Sequence, residues 1–313
     1  MPDTVAANRR IPVNTVEIRR GPLGRWVPVP ANSPRDIADI GAEGFALSGI
    51  LDPILESHRV FKNTRYAAKK ADPRYRGPHI VAEGDSWFEY PYNDDLVMIL
   101  GEKYAIMSLA KAGDAWTDIY RKNELFPAIM QEHPDIVMLS LGGNEVMGQI
   151  ENYVQQFELN RPASKYILPS FAKLLDWVEN QYDTTIEHIL AQGAQVIVHG
   201  YDYPDARAPA TQGAQWIGPP LLNMRNIDGV AMWREIANIM LDRYNEMMAR
   251  MVGKAGFAGR VHYVDLRGTI GNADYDTGPD PDLWCDEIHG SAAGFGKLAK
   301  KIDRKIKQIA AVA

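Results

Sequence analysis

From residue 79 onward, short apolar runs alternate with longer amphipathic stretches. The runs fall at Ile80–Ala82, Ala105–Leu109, Asp135–Leu141, Gln195–His199 and Val261–Leu266. Apolar segments this short, bounded by glycine and turn residues, read as buried strands. Between them, Asp94–Lys103, Thr117–Gln131, Ser170–Ala191 and Ala231–Val252 are expected to be helical. A last helix, basic on one face, is expected over Ala292–Ala310. In the third of these stretches Phe171, Leu174, Leu175, Val178 and Tyr182 recur at helical spacing, which predicts one stripe facing a sheet. Strands alternating with helices predict an α/β domain: a five-stranded parallel sheet between two helical layers. Two connections, Val146–Pro169 and Tyr201–Gly229, are longer than usual for such a fold. Both leave the carboxyl ends of strands, where open α/β sheets place their ligands and where loops commonly build pockets. Simple surface insertion is the plainer alternative.

Residues 1–77 have a different texture. Thr15–Arg20 and Arg25–Val29 alternate around Gly21-Pro22-Leu23-Gly24, which predicts a hairpin. Ser33-Pro34 offers an N-cap and a proline for the first helical position, ahead of a helix over 35–47 that Gly41, Gly44 and Gly49 weaken. Lys69–Pro78 is basic and punctuated by proline, and reads as a linker. The division expected is therefore an accessory extension over 1–77 and a catalytic domain over 78–313. The extension could cover a sheet edge, make a homo-oligomer contact or shape the pocket, with packing against the main domain the simplest role.

Composition narrows the class. The chain has 313 residues, 46% hydrophobic and 24% charged, with a formal net charge of −6; this suits a globular enzyme and gives no reason to expect a nucleic-acid partner. Its one cysteine, Cys285, excludes an internal disulfide and a cysteine-based metal cluster. No run approaches the roughly 18 apolar residues of a membrane span, and the first residues carry no apolar core of a secretory signal. A cytoplasmic protein without a metal or other cofactor is the expectation.

Acyl transfer requires a nucleophile, a base, a group that orients the base, and donors where the oxyanion forms. Candidates for each role fall at strand ends. Gly84-Asp85-Ser86 follows the first strand, Gly113 the second, Gly142-Gly143-Asn144-Glu145 the third, and Asp286-Glu287-Ile288-His289 precedes the last helix. In this order the four blocks resemble those of the SGNH (GDSL-type) hydrolases, from about His79 to the carboxyl terminus; residues 1–77 resemble no family. The resemblance implies the flavodoxin-like three-layer fold of that family and an esterase activity. It implies that Ser86 attacks the acyl carbonyl, that His289 is the general base, and that Asp286 holds the imidazole. The backbone N–H groups of Ser86 and Gly113 and the side-chain amide of Asn144 would form the oxyanion hole. Glycine suits position 113 because a missing Cβ lets substrate approach the backbone. Glu145 stands where the family usually has Asp, Ala110 and Ala112 replace small polar or glycine neighbours, and Gly290 replaces a frequent proline.

Other residues compete less well. His199 could line the site or be a satisfied strand-end histidine; His58, His79, His133, His188 and His262 lack a setting like that of His289. Asp94-Asp95 and Asp202/Asp205 have no histidine partners at ligand spacing, so helix caps and turns are expected there. Cys285 is expected to fill a small apolar role. Trp87, Phe88, Tyr90, Tyr92, Trp116, Met147, Tyr201 and Trp216 could line an apolar pocket or belong to the core. Only Lys111, Arg207 and Arg225 are basic near the expected mouth, which disfavours a strongly anionic substrate. The primary expectation is a carboxylester hydrolase acting on a small-molecule ester. Acyl transfer to an acceptor other than water, and a non-catalytic binding or assembly protein on the same fold, are the alternatives.

Overall fold

In a computed structural model the described residues are Val16–Arg20, Trp26–Pro30 and residues 41–311. The two short segments, β1 (Val16–Arg20) and β2 (Trp26–Pro30), pair antiparallel from Val16 opposite Pro30 to Arg20 opposite Trp26, as a hairpin requires. Its expected turn, and the part of the expected helix over 35–40, lie outside the described residues. Helix α1 (Gly41–Ala71) runs far past the expected end at 47 and takes in the first residues of the expected linker. The glycines that argued against a helix are confined to its first turns. Beyond them the sequence is rich in good helix formers such as Leu, Glu, Lys and Arg.

The central sheet contains β3 (His79–Gly84), β4 (Ala105–Ser108), β5 (Ile136–Ser140), β6 (Gln195–His199) and β7 (Val261–Val264). All four pairings are parallel, and the spatial order is β4-β3-β5-β6-β7. Parallel sheets need cover on both faces, which is why these strands read as continuous apolar runs rather than alternating ones. One layer contains α2 (Leu96–Leu100) and α9 (Ala292–Ala310); Tyr104, between α2 and β4, donates to Asp303 of α9 at 2.9 Å. The other contains α3 (Trp116–Lys122), α4 (Leu125–Glu132), α6 (Pro169–Ala191) and α8 (Val230–Val252). Trp116 packs edge-on against Tyr182, and Phe126 against His188, which join α3 and α4 to α6. The single helix expected over Thr117–Gln131 is two, because Asn123 adopts a left-handed conformation (φ 51°) and ends the first. The order of strands reverses at β3, so the crevice beyond the carboxyl ends of β3 and β5 is the natural ligand position.

Helix α1 closes the β4 edge. The Asn63 side chain accepts from Ser108 N at 2.7 Å and donates to Ser108 O at 3.0 Å, and Tyr75 Oη accepts from Ala105 N at 2.8 Å. These side chains satisfy backbone groups that an edge strand would otherwise present to a foreign strand. Among the described residues no helix is long and apolar enough to cross a membrane.

Candidate active site

Strand β3 delivers Gly84-Asp85-Ser86 to the crevice. Asp85 fixes the turn: its backbone N–H donates to Ser140 O at the end of β5, and its Oδ1 accepts from Trp87 N at 3.0 Å and Ser140 Oγ at 2.9 Å. Its other oxygen accepts from the Tyr201 hydroxyl. Burial pushes the Asp85 carboxyl up to about 6 despite these donors. The following residue, Ser86, thus projects from a turn held to the adjacent strand.

The turn before α9 supplies the partner. His289 Nε2 lies 2.7 Å from Ser86 Oγ, across 203 residues of chain. On the other side of the ring, Nδ1 lies 2.8 Å from Asp286 Oδ2 and 3.0 Å from Oδ1. Asp286 Oδ1 also accepts the backbone N–H groups of Ile288 and His289, at 2.9 and 2.8 Å, so the turn aims the carboxylate at its own histidine. Burial alone would raise the Asp286 carboxyl, but the facing imidazole and these two N–H donors outweigh it and hold the group below the usual carboxylate range. Ser86 and His289 are 8% and 6% exposed, so their hydrogen bond is shielded while the hydroxyl still borders a cleft.

The candidate donors Gly113 and Asn144 follow β4 and β5. Gly113 has φ 75°, a left-handed conformation that adds a second reason for glycine there. Gly142 has φ 92°, and a Cβ at that position would meet the Tyr244 ring at 2.9 Å. It opens α5 (Gly143–Met147) and so sets the direction of Asn144. The Asn144 amide nitrogen donates to Asp114 O at 2.7 Å. An amide carries two N–H donors, so this bond fixes its plane and commits one of them. Behind it, Glu145 Oε1 accepts from Trp116 N at 2.7 Å, and burial pushes its carboxyl up to about 7.

The cleft holds about 360 Å³ including its open mouth. Among the aromatic and apolar candidates, Trp87, Met147 and Tyr201 line it, joined by Asn144, Leu241 and Ile288. Phe88 and Trp116 are fully buried core residues. Tyr90 is buried beneath the His289 ring, Trp216 meets that ring edge-on at 6.3 Å, and Tyr92 is exposed. His199 is buried between Trp87 and Phe88, with Nδ1 2.8 Å from Gly200 O, and burial pushes it down to about 4. Asp95 caps α2 by accepting from Met98 N, and Asp202 gathers the N–H groups of Tyr203 and Gly268 to Gly271. Cys285 is half-buried, with its sulfur 2.9 Å from the Asn93 amide.

Two architectural groups escaped the sequence reading. The long connections clasp each other at the end of α7 (Gly218–Arg225): Arg225 Nε donates to Glu151 O at 2.7 Å and Phe157 N to Arg225 O at 2.8 Å. Buried Glu287, between Asp286 and His289, accepts the backbone N–H groups of Arg207, Gln215, Trp216, Ile217 and Gly218. It thereby fastens the loop after β6 to the histidine-bearing turn. The only signal in the sequence was an acidic residue inside an otherwise assigned motif.

No family model matches the chain, and neither does any curated protein. Solved structures similar in fold include an extracellular lipase from Streptomyces rimosus, 18% identical, covering 72% of this chain and 98% of that one, with a TM-score of 0.47. A GDSL-like lipase from Bacteroides thetaiotaomicron is 16% identical over 79% of this chain and 97% of its own, with a TM-score of 0.46. An acetylxylan esterase from Geobacillus stearothermophilus, solved as a catalytic mutant, is 15% identical over 74% and 94%, with a TM-score of 0.43.

Proposed function

We propose that the chain is a serine esterase of the SGNH (GDSL) type that hydrolyses carboxylic esters through an acyl-enzyme on Ser86. The observation that carries this reading is the continuous line Ser86 Oγ–His289 Nε2–His289 Nδ1–Asp286, with links of 2.7 and 2.8 Å, at the rim of a cleft. Ser86 Oγ attacks the ester carbonyl as His289 Nε2 takes its proton. The imidazolium that forms faces the Asp286 carboxylate, which stays ionised and keeps Nδ1 protonated beforehand. Collapse of the tetrahedral intermediate breaks the bond to the alcohol, and Nε2 returns the proton to that oxygen. Water then attacks the acyl group, giving its proton to Nε2; collapse of that second intermediate breaks the C–Oγ bond, Nε2 returns the proton to Ser86 Oγ, and the acid leaves.

Negative charge on the carbonyl oxygen is met by the N–H groups of Ser86 and Gly113 and the second N–H of Asn144. The apolar lining from Trp87, Met147 and Leu241 suits an uncharged acyl or alcohol group. Arg225 is bound to the neighbouring loop, and Arg207 to Asp205 and the carbonyls of Gln212, Trp284 and Cys285. Neither offers a ready partner for an anionic substrate.

The test is hydrolysis of short-chain p-nitrophenyl esters together with labelling by a fluorophosphonate. Wild-type protein should release p-nitrophenol and take up the label, and Ser86→Ala should do neither while melting like the wild type. Turnover that survives Ser86→Ala would end this reading.

A further inference from the structure

The phenol beneath the base makes two contacts with the hydrogen-bonded pair above it. The Tyr90 ring stacks on His289 with centroids 4.6 Å apart and planes at 28°. Its hydroxyl donates to Asp286 Oδ2 at 3.2 Å, the oxygen that already receives His289 Nδ1. We infer that Tyr90 is a positioning residue that sets the proton affinity of the His289–Asp286 pair through these two opposed contacts, an inference that rests on the esterase reading above.

The two contacts act in opposite directions. A donor on Oδ2 disperses the carboxylate's charge and weakens its hold on the imidazolium, whereas the electron-rich ring face favours a cation lying over it. At 3.2 Å the hydrogen bond is long for O–H···O, so its influence is modest. Burial, and then the Asp286 charge, push the phenol's own ionisation far up, so it remains a donor throughout the working pH range.

The backbone holds the ring in place. Tyr90 N donates to Asp95 Oδ2 at 3.1 Å, and Lys62 Nζ from α1 donates to the same oxygen at 2.6 Å. The other ionisable groups around the pair have separate engagements. Asp85 is bonded to Tyr201, Glu287 to its five N–H donors, and Arg207 to Asp205. Tyr92 meets Tyr90 edge-on. The Cys285 thiol also faces the Tyr90 hydroxyl, and burial, then the Asp286 charge, push its ionisation up.

The experiment compares wild type, Tyr90→Phe and Tyr90→Leu by the pH profile of kcat/KM on a p-nitrophenyl ester and by the rate of fluorophosphonate labelling. Tyr90→Phe keeps the face and loses the donor, so its acid limb should move up by about 0.3–0.5 pH unit, a two- to threefold loss of kcat/KM on that limb with KM little changed. Tyr90→Leu loses the face as well, and its limb should fall below that of Tyr90→Phe. Replacing Tyr90 by 3-fluorotyrosine, a stronger donor of nearly the same size, should move the limb down and provides the measurement if either variant folds poorly. Wild-type protein that takes no label would remove the esterase reading itself. Labelled wild type with superimposable profiles for Tyr90→Phe and the fluorotyrosine protein would overturn this inference alone.

Discussion

Replacing Lys62 with Met should destabilise the protein strongly, and by more at pH 8 than at pH 6. Lys62 reaches from α1 into a site where its side chain is 2% exposed, and Nζ donates to Glu89 Oε2 at 2.8 Å, Asp95 Oδ2 at 2.6 Å and Phe88 O at 2.8 Å. Glu89 and Asp95 are themselves buried, so Met of similar length fills the space but leaves two carboxylates without their cation. Removing one partner of a buried ion pair typically costs about 3–5 kcal/mol. The pH dependence follows from Glu89, whose carboxyl burial already pushes up to about 7 against the pull of Lys62. A carboxyl raised on folding contributes most to stability below its unfolded pKa, and that contribution is lost as pH rises through the folded value. Wild-type stability therefore stops falling on this account near pH 7. Without Lys62 the folded value rises further, and the decline continues at about 1.4 kcal/mol per pH unit. The deficit should widen by on the order of 1 kcal/mol from pH 6 to pH 8, and adding Glu89→Gln should reduce the widening, since Asp95, also raised by burial and held down by Lys62, remains. Urea titrations at the two pH values measure both quantities. A deficit under about 1 kcal/mol at each pH, or one that narrows at pH 8, would show that Lys62 does not hold this pair of carboxylates.

Asn144→Ala removes one of the proposed oxyanion donors and should cost about 3 kcal/mol of barrier, roughly a hundredfold in kcat, with KM little altered; a loss expressed in KM alone would count against that role. Glu287→Gln puts an NH₂ in place of one acceptor oxygen, so at least two of the five backbone N–H groups, those of Arg207 and Gly218 on Oε1, would face a donor. It should cost on the order of 3 kcal/mol, and hydrogen exchange should rise first at Gln215–Gly218, so unchanged protection there would exclude the clamp.

The sheet was legible because a parallel strand covered on both faces must be apolar along its length, and each of the five runs became a strand within a residue or two of its expected ends. Helix α9 matched its expected span because an N-cap, Ser291, and a sustained amphipathic period mark it. Helix α1 did not, because its early glycines hide a long charged helix whose internal period is weak. What the sequence could not show is how polar groups far apart in the chain are satisfied. Asn63 against Ser108, Lys62 between Glu89 and Asp95, and Glu287 under residues 207–218 are each buried polar groups paired across the fold. Periodicity carries no trace of such pairings, since a lone lysine on a helix reads as a solvated residue until its partners are known.

The same limit applied to the site. Four short blocks that resemble those of the SGNH hydrolases brought forward Ser86, Gly113, Asn144, Asp286 and His289 as candidates, and the structure brings the Ser86, His289 and Asp286 side chains into hydrogen-bonding contact. The blocks did not separate a lining aromatic from a supporting one. Trp87 and Tyr201 border the cleft, whereas Tyr90 stacks under the His289 ring and Phe88 is core, though three of the four lie within four residues of one another. The turn held by Asp85 decides this, since it closes through Phe88 N and Glu89 N onto Asp85 O and sends successive side chains in different directions. Helix α1 then fixes the far end of that turn through Lys62 and Asp95. The proposed division at residue 77 accordingly separates the chain by texture, not by what packs behind the His289 turn. A protein shortened to begin at residue 78 should lose Lys62 and the cover of β4 together, and with them thermal stability and the ordered seat of Tyr90. A shortened protein that melts like the full chain and keeps its acid limb would show that α1 contributes neither.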